Sequence, residues 1–178
     1  MNIHKNFIIV LHGPMCAGKS TLTKFFMKHE SIFRGSYDAV KWLIGGYSAN
    51  NQNHRESAKE ITFDMICSAV NQGFSIVIDG GFPDYRKRYQ ELAEENNFLY
   101  VSVNIETPIE VLEERFIERV ESATKKGNNI SVTTLDGFHS RYNWYLDSSK
   151  DPHGIVFDSH ELSTEEIASR IIDLIDKK

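Results

Sequence analysis

Apolar positions along the chain follow two alternating patterns. Mainly apolar runs at residues 7–11, 74–78, 98–105 and 154–158 are short and rich in β-branched and aromatic side chains, as expected of strands buried on both faces. Between them the spacing changes to that of helices. Leu22, Phe25 and Phe26 place a helix after the first run. Ala58, Ile61, Met65, Ile66, Ala69 and Val70 share one face of a longer helix from about His54 to Asn71, with Gly73 as its stop. Tyr85, Tyr89, Leu92 and Ala93 mark the next helix. Thr107-Pro108-Ile109-Glu110 reads as a capping box with proline at the first helical position, opening a helix that turns Val111, Leu112, Phe116 and Val120 inward. The pattern breaks over residues 125–129 and resumes with Val132, Leu135, Phe138, Tyr142 and Leu146. Ser163 and Glu166 cap a closing helix carrying Ile167, Ile171, Leu174 and Ile175. A weaker strand at residues 32–36 delivers Tyr37-Asp38 to its end; a short helix then stops near Gly45-Gly46, and residues 48–53 form a polar loop.

Strands alternating with amphipathic helices predict an α/β fold with a parallel sheet covered on both faces, because parallel strands need crossover connections. In such sheets ligands collect beyond the carboxyl ends of the strands. The 178 residues suit a single domain with a core large enough to need no staples. No internal repeat or linker interrupts them.

At 40% apolar and 25% charged residues the composition is that of an ordinary globule, and the net charge of −5 disfavours an extended nucleic-acid partner. Cys16 and Cys67 lack metal-ligand spacing, which argues against disulfide scaffolding and structural zinc. No apolar run reaches membrane-spanning length and the first residues lack the anatomy of a signal peptide, so the expectation is a cytoplasmic protein without a membrane partner. The oligomeric state is left open.

Chemistry enters at the end of the first strand. Gly13-Pro14-Met15-Cys16-Ala17-Gly18-Lys19-Ser20 fits G-x-x-x-x-G-K-[ST] at every fixed position and is followed by Thr21 and the first helix. Glycines let the backbone aim successive N–H groups at a polyphosphate, and the helix adds the positive end of its dipole. Lys19 would reach the β- and γ-phosphates and Ser20 would hold Mg²⁺. Residues 13–21 are thus the expected nucleotide-binding set, Cys16 counting as a small apolar side chain. Asp38 and Asp79 lie at strand ends of the same polarity. Asp79 is a candidate Mg²⁺ partner or a strand-terminal turn residue. Asp38 is a candidate base or an N-cap for a helix beginning near Ala39.

The chain resembles the AAA-type P-loop kinases of small molecules and nucleotides, a group that includes polynucleotide kinase, chloramphenicol phosphotransferase, zeta toxins and adenylate kinase. The resemblance is carried by residues 13–20, Tyr37-Asp38, the strand ending at Asp79, the Thr107-Pro108 helix start and Arg115-Phe116-Ile117-Glu118-Arg119, which looks like the lid pair R-x-x-x-R. It implies a three-layer fold with five strands in the order 2-3-1-4-5, MgATP as donor, and a small helical lid at about residues 115–135. By the same resemblance Asp38 matches the aspartate that takes the proton from an attacking hydroxyl. Arg115 would stack on adenine and Arg119 would clamp phosphate. The plain alternative for both arginines is an ion-pair ladder with Glu114, Glu118 and Glu121.

The acceptor divides the family. Asp79-Gly80-Gly81-Phe82-Pro83 resembles the D-G-F-P segment of adenylate kinase with an extra glycine, but Asp84 stands where that enzyme has arginine. Gly127 is followed by Asn128-Asn129, so the second lid motif G-R-x-D-D is lost. These departures favour a hydroxyl of a small molecule or nucleotide-like acceptor over a nucleoside monophosphate. A nucleotide-binding regulator with little transferase activity is a third reading, and polynucleotide 5′-ends a fourth. Arg86 and Arg88 are candidates to meet an anionic substrate, Lys125 and Arg141 are further lid candidates, and Tyr142, Trp144 and Tyr145 line an acceptor pocket or pack in the core.

Overall fold

Strand β1 (Phe7–His12) is buried at all six positions and paired in parallel along both edges. That double enclosure explains the unbroken apolar run, since no position has a solvent side to mark with a polar residue. The computed structural model describes residues 5–29, 31–127 and 130–177. Asn128 and Asn129, which carry the expected break in the helical pattern, lie outside the described residues. The other strands are β2 (Ile32–Gly35), β3 (Ser75–Asp79), β4 (Leu99–Glu106) and β5 (Ile155–Asp158), and the sheet order is β2-β3-β1-β4-β5. All four pairings are parallel, so the expected three-layer P-loop fold is present.

In chain order the helices are α1 (Lys19–Phe26), α2 (Tyr37–Lys41), α3 (Gln52–Asn71), α4 (Arg86–Glu95), α5 (Ile109–Lys126), α6 (Leu135–Trp144) and α7 (Thr164–Asp176). Period-two alternation sorts β1 between two cores. Phe7, Ile9 and Leu11 meet Leu22 and Phe26 of α1, Leu112 and Phe116 of α5, Phe138 of α6 and Ile171 of α7. Ile8 and Val10 face the opposite layer with Ile66 and Val70 of α3 and Leu92 and Ala93 of α4. Fully burying each such side chain contributes roughly 1.5–3 kcal/mol before entropy is charged against it.

The two predicted capping boxes have opposite outcomes. Ser163 accepts from the Glu166 amide and Glu166 accepts from the Ser163 amide, completing the box at α7. At α5 the box does not form: Pro108 itself is the N-cap, and the Thr107 hydroxyl pairs with the Glu106 carbonyl and with Ser159 instead.

His12 closes β1 at 1% exposure, and neither ring nitrogen has a hydrogen-bond partner among the described residues. Gly81 makes that burial complete, because a Cβ there would sit 2.8 Å from His12 Cε1 and 2.3 Å from Val10 Cγ1. The second glycine of Asp79-Gly80-Gly81 is therefore a packing requirement of β1. Burial, and then the Arg86 cation, lower the His12 pKa to about 4, with Asp151 opposing. The folded protein thus binds fewer protons at this position than the unfolded chain, so its stability is complete above pH 6.5 and is lost as pH falls towards about 4. Urea denaturation across that window should show about 3 kcal/mol of acid destabilisation in the wild type that is missing in His12→Gln. An identical pH slope in the two proteins would remove His12 as its source. Ser163→Ala should cost about 1 kcal/mol in the same assay at neutral pH through loss of the α7 cap.

Candidate active site

The loop between β1 and α1 turns under tight steric limits. A Cβ on Gly13 would lie 2.5 Å from the Ile105 carbonyl oxygen, so only glycine lets the loop pass the end of β4 this closely. Gly18 is the left-handed N-cap of α1 at φ 93°, and Cys16 is also left-handed at φ 67°. For a residue with a Cβ that conformation costs about 1–2 kcal/mol, and turns of this kind are what let successive amides converge on an anion. The Ala17 amide donates to the Pro14 carbonyl at 3.3 Å, closing the turn, while Met15 and Cys16 rest partly on the core beneath. Ser20 and Thr21 are exposed on the first turn of α1.

Lys19 Nζ donates to the carbonyls of Gly13 and Pro14, both at 2.8 Å. Burial lowers its pKa and the nearby Asp79 carboxylate opposes that effect. Asp79 at the end of β3 is 8% exposed and accepts from Arg34 at 2.7 Å. It therefore stands beside the loop lysine as expected, but already shared with a cation from β2. Arg34 was not legible as a site residue, although its place in the register opposite Val77, two residues before Asp79, puts both side chains on one face.

Arg115 reaches back from α5. Its guanidinium donates to the Ser159 carbonyl at 3.1 Å and the Ser159 hydroxyl at 3.3 Å, and lies 3.5 Å from the Cys16 carbonyl oxygen. Ser159 in turn donates to the Ala17 carbonyl at 2.9 Å. A clasp of Arg115 and Ser159 thus joins the loop to the end of β5. It walls a cleft of about 310 Å³ whose other sides include Gly18, Thr21, Leu22 and Ile167. Arg119, one turn further along α5, is exposed and close enough to Lys19 for the two charges to oppose each other. Among the described residues neither arginine joins Glu114, Glu118 or Glu121 in an ion pair, so the ladder does not form.

Asp38 lies in the first turn of α2 with its side chain 74% exposed. Ser36 is the N-cap and accepts from the Ala39 amide, which frees Asp38 from that task. Its Oδ1 instead accepts from Lys41 Nζ at 2.6 Å, and the same ammonium donates to Ser131 Oγ at 3.0 Å. Lys41 is 9% exposed despite its charge. Sequence reasoning missed it, yet its spacing three residues after Asp38 on a helix was the available signal.

The other candidates separate clearly. Arg86 donates to the Ser149 carbonyl and pairs with Asp151, and Arg88 forms a two-pronged pair with Glu60, so both are committed to the scaffold. Lys125 faces Glu121 at 3.8 Å on the outside of α5. Tyr145 is core, Tyr142 stacks on Phe138, and Trp144 is 41% exposed beside Arg141. Among the described residues no group of three His, Cys, Asp or Glu side chains is arranged to hold a metal ion. A hydroxyl at Ser20 and a carboxylate at Asp79 nonetheless match Mg²⁺, which takes few protein oxygens and fills its shell with phosphate and water. No described helix is long and apolar enough to cross a membrane.

Comparison with known proteins agrees with this geometry. A family model described as AAA domain matches residues 8–143. The chain is 27% identical to a cytidylate kinase of Bacillus licheniformis, covering 99% of each. It is 22% identical to an L-seryl-tRNA(Sec) kinase of Methanococcus maripaludis, over 96% of this chain and 67% of that one. Among solved structures, the Mycobacterium tuberculosis APS kinase in complex with AMPPNP and APS superposes with a TM-score of 0.65 at 15% identity, covering 97% of this chain and 98% of that one. The Deinococcus radiodurans tunicamycin resistance protein gives a TM-score of 0.62 at 16% identity, with 96% of each chain covered. With its glycine loop, sheet order and matched residues, the chain belongs to the AAA domain family and is a P-loop kinase.

Proposed function

We propose that this protein transfers the γ-phosphoryl group of ATP to a hydroxyl of a small molecule or nucleotide-like acceptor, with Asp38 as the base. The observation that carries the reading is the state of Asp38: it caps nothing, it is exposed, and one buried ammonium fixes its orientation. Apart from neutralising Lys41, that carboxylate has no cap or scaffold bond to make among the described residues.

In the proposed step the acceptor hydroxyl attacks the γ-phosphorus in line while Asp38 takes its proton. The new O–P bond forms as the bond to the β,γ-bridging oxygen breaks, leaving ADP. Such a transfer needs little covalent help and much charge neutralisation. The loop amides and Lys19 supply part of that charge, and Arg119 on α5 completes it at the γ-phosphate. Arg115 borders the cleft of about 310 Å³, which takes the adenine in this reading, and holds the loop against Ser159. Mg²⁺, held by Ser20 and Asp79, would neutralise charge on the β- and γ-oxygens. The segment at about residues 115–135 serves as the lid in this reading.

The likeness to a cytidylate kinase over nearly the whole chain supports a second reading, transfer to a nucleoside monophosphate. That acceptor is already a phosphate and needs no base. The two readings part at Asp38. For a hydroxyl acceptor, Asp38→Asn should lower kcat by on the order of 10²-fold or more with ATP affinity nearly unchanged. ADP release with nucleosides, sugars and aminocyclitols, compared with AMP, CMP, GMP and UMP, supplies the assay; wild-type turnover by the variant excludes Asp38 from the chemistry. Lys19→Ala should weaken ATP binding by calorimetry and lower transfer by roughly 10²-fold or more under either reading.

A further inference from the structure

We infer that the cavity beside α6 is the acceptor subsite and that it takes an alcohol bearing both a ring and an oxyanion, such as a phosphate; this rests on the kinase reading above. The cavity has a volume of about 480 Å³, within the range of small-molecule sites. One wall is the segment 131–134. The other is a single face of α6, presented by Gly137, Ser140, Arg141 and Trp144 at helical spacing. Gly137 lets the two walls meet: a Cβ there would come within 2.9 Å of Val132 Cγ1 and 3.1 Å of Thr134 Oγ1.

One side chain links it to the chemistry. Ser131 in the wall accepts from Lys41, and Lys41 donates to Asp38, so one ammonium joins the cavity to the proposed base. Arg141 is the one charged residue among those lining the cavity. Among the described residues it forms no ion pair, whereas Arg34, Arg86 and Arg88 each face a carboxylate. A guanidinium left without a carboxylate and set in a concave wall fits a planar pair of anionic oxygens. Trp144 adds a flat apolar surface, and it remains 41% exposed while its neighbours Phe138 and Tyr145 are core. Hydroxyls of Ser131, Thr133 and Ser140 supply orientation. A neutral apolar acceptor would leave this cation and these hydroxyls unanswered, at a cost in affinity.

Trp42 and Trp144 are the two tryptophans of the chain, so Trp42→Phe leaves Trp144 as a local reporter. With the donor site saturated by a non-hydrolysable ATP analogue and Mg²⁺, matched pairs are titrated by fluorescence: adenosine and AMP, cytidine and CMP, glucose and glucose 6-phosphate. The phosphorylated member of at least one pair should perturb Trp144 and bind about 10-fold or more tighter than its neutral partner. Arg141→Ala should bring that ratio close to one, and Arg141→Lys should keep part of it, each with wild-type far-ultraviolet circular dichroism. Equal binding within every pair, a ratio unchanged in Arg141→Ala, or no response to any phosphorylated probe overturns the subsite. ADP release with the same panel tests transfer separately. Turnover of neutral alcohols with no preference for the anion would leave the kinase reading standing and remove this one.

Discussion

Strand β1 has no free edge and no solvent side, and this confinement sets where the glycine loop begins. Its register to β4 brings His12 opposite Asn104, so the next residue must pass the Ile105 carbonyl at a distance no Cβ tolerates. Gly13 answers that constraint, and the left-handed turns at Cys16 and Gly18 follow before α1 can start. The loop is therefore aimed by the hydrophobic packing of the strand before it. Its tether to β5 through Arg115 and Ser159 acts on a chain segment whose position is already fixed from below.

Periodicity exposed the sheet because every strand feeding it has an apolar core side, and β1 has two. The topology was readable through family likeness, since strand order is not written in the spacing of apolar residues. Side-chain pairings across the sheet end were another matter. Thr107 followed by Glu110 has the sequence of a capping box, but its hydroxyl pairs with the Glu106 carbonyl and with Ser159, 52 residues away. Asp38 as an N-cap was equally readable from sequence, and Ser36 holds that position because the helix begins two residues earlier than periodicity indicated. Local patterns specify what a residue can do, and long-range neighbours decide which option is taken.

The arginines illustrate the same division. Arg34, Arg86 and Arg88 meet carboxylates from other elements and stiffen the scaffold, while Arg119, within the proposed lid, and Arg141, just after it, form no ion pair among the described residues. Charge in the sequence is balanced only slightly towards acid, at −5. Locally, Lys19, Arg115 and Arg119 stand close to the glycine loop, where a negative ligand is expected.

Lys19 spends its hydrogen bonds on two carbonyls of its own loop. A phosphate that claims this ammonium must replace those two acceptors, and a longer polyphosphate can do so while also meeting the loop amides. The folded-back lysine is thus pre-positioned at the mouth of the loop, where an incoming anion exchanges one set of oxygens for another.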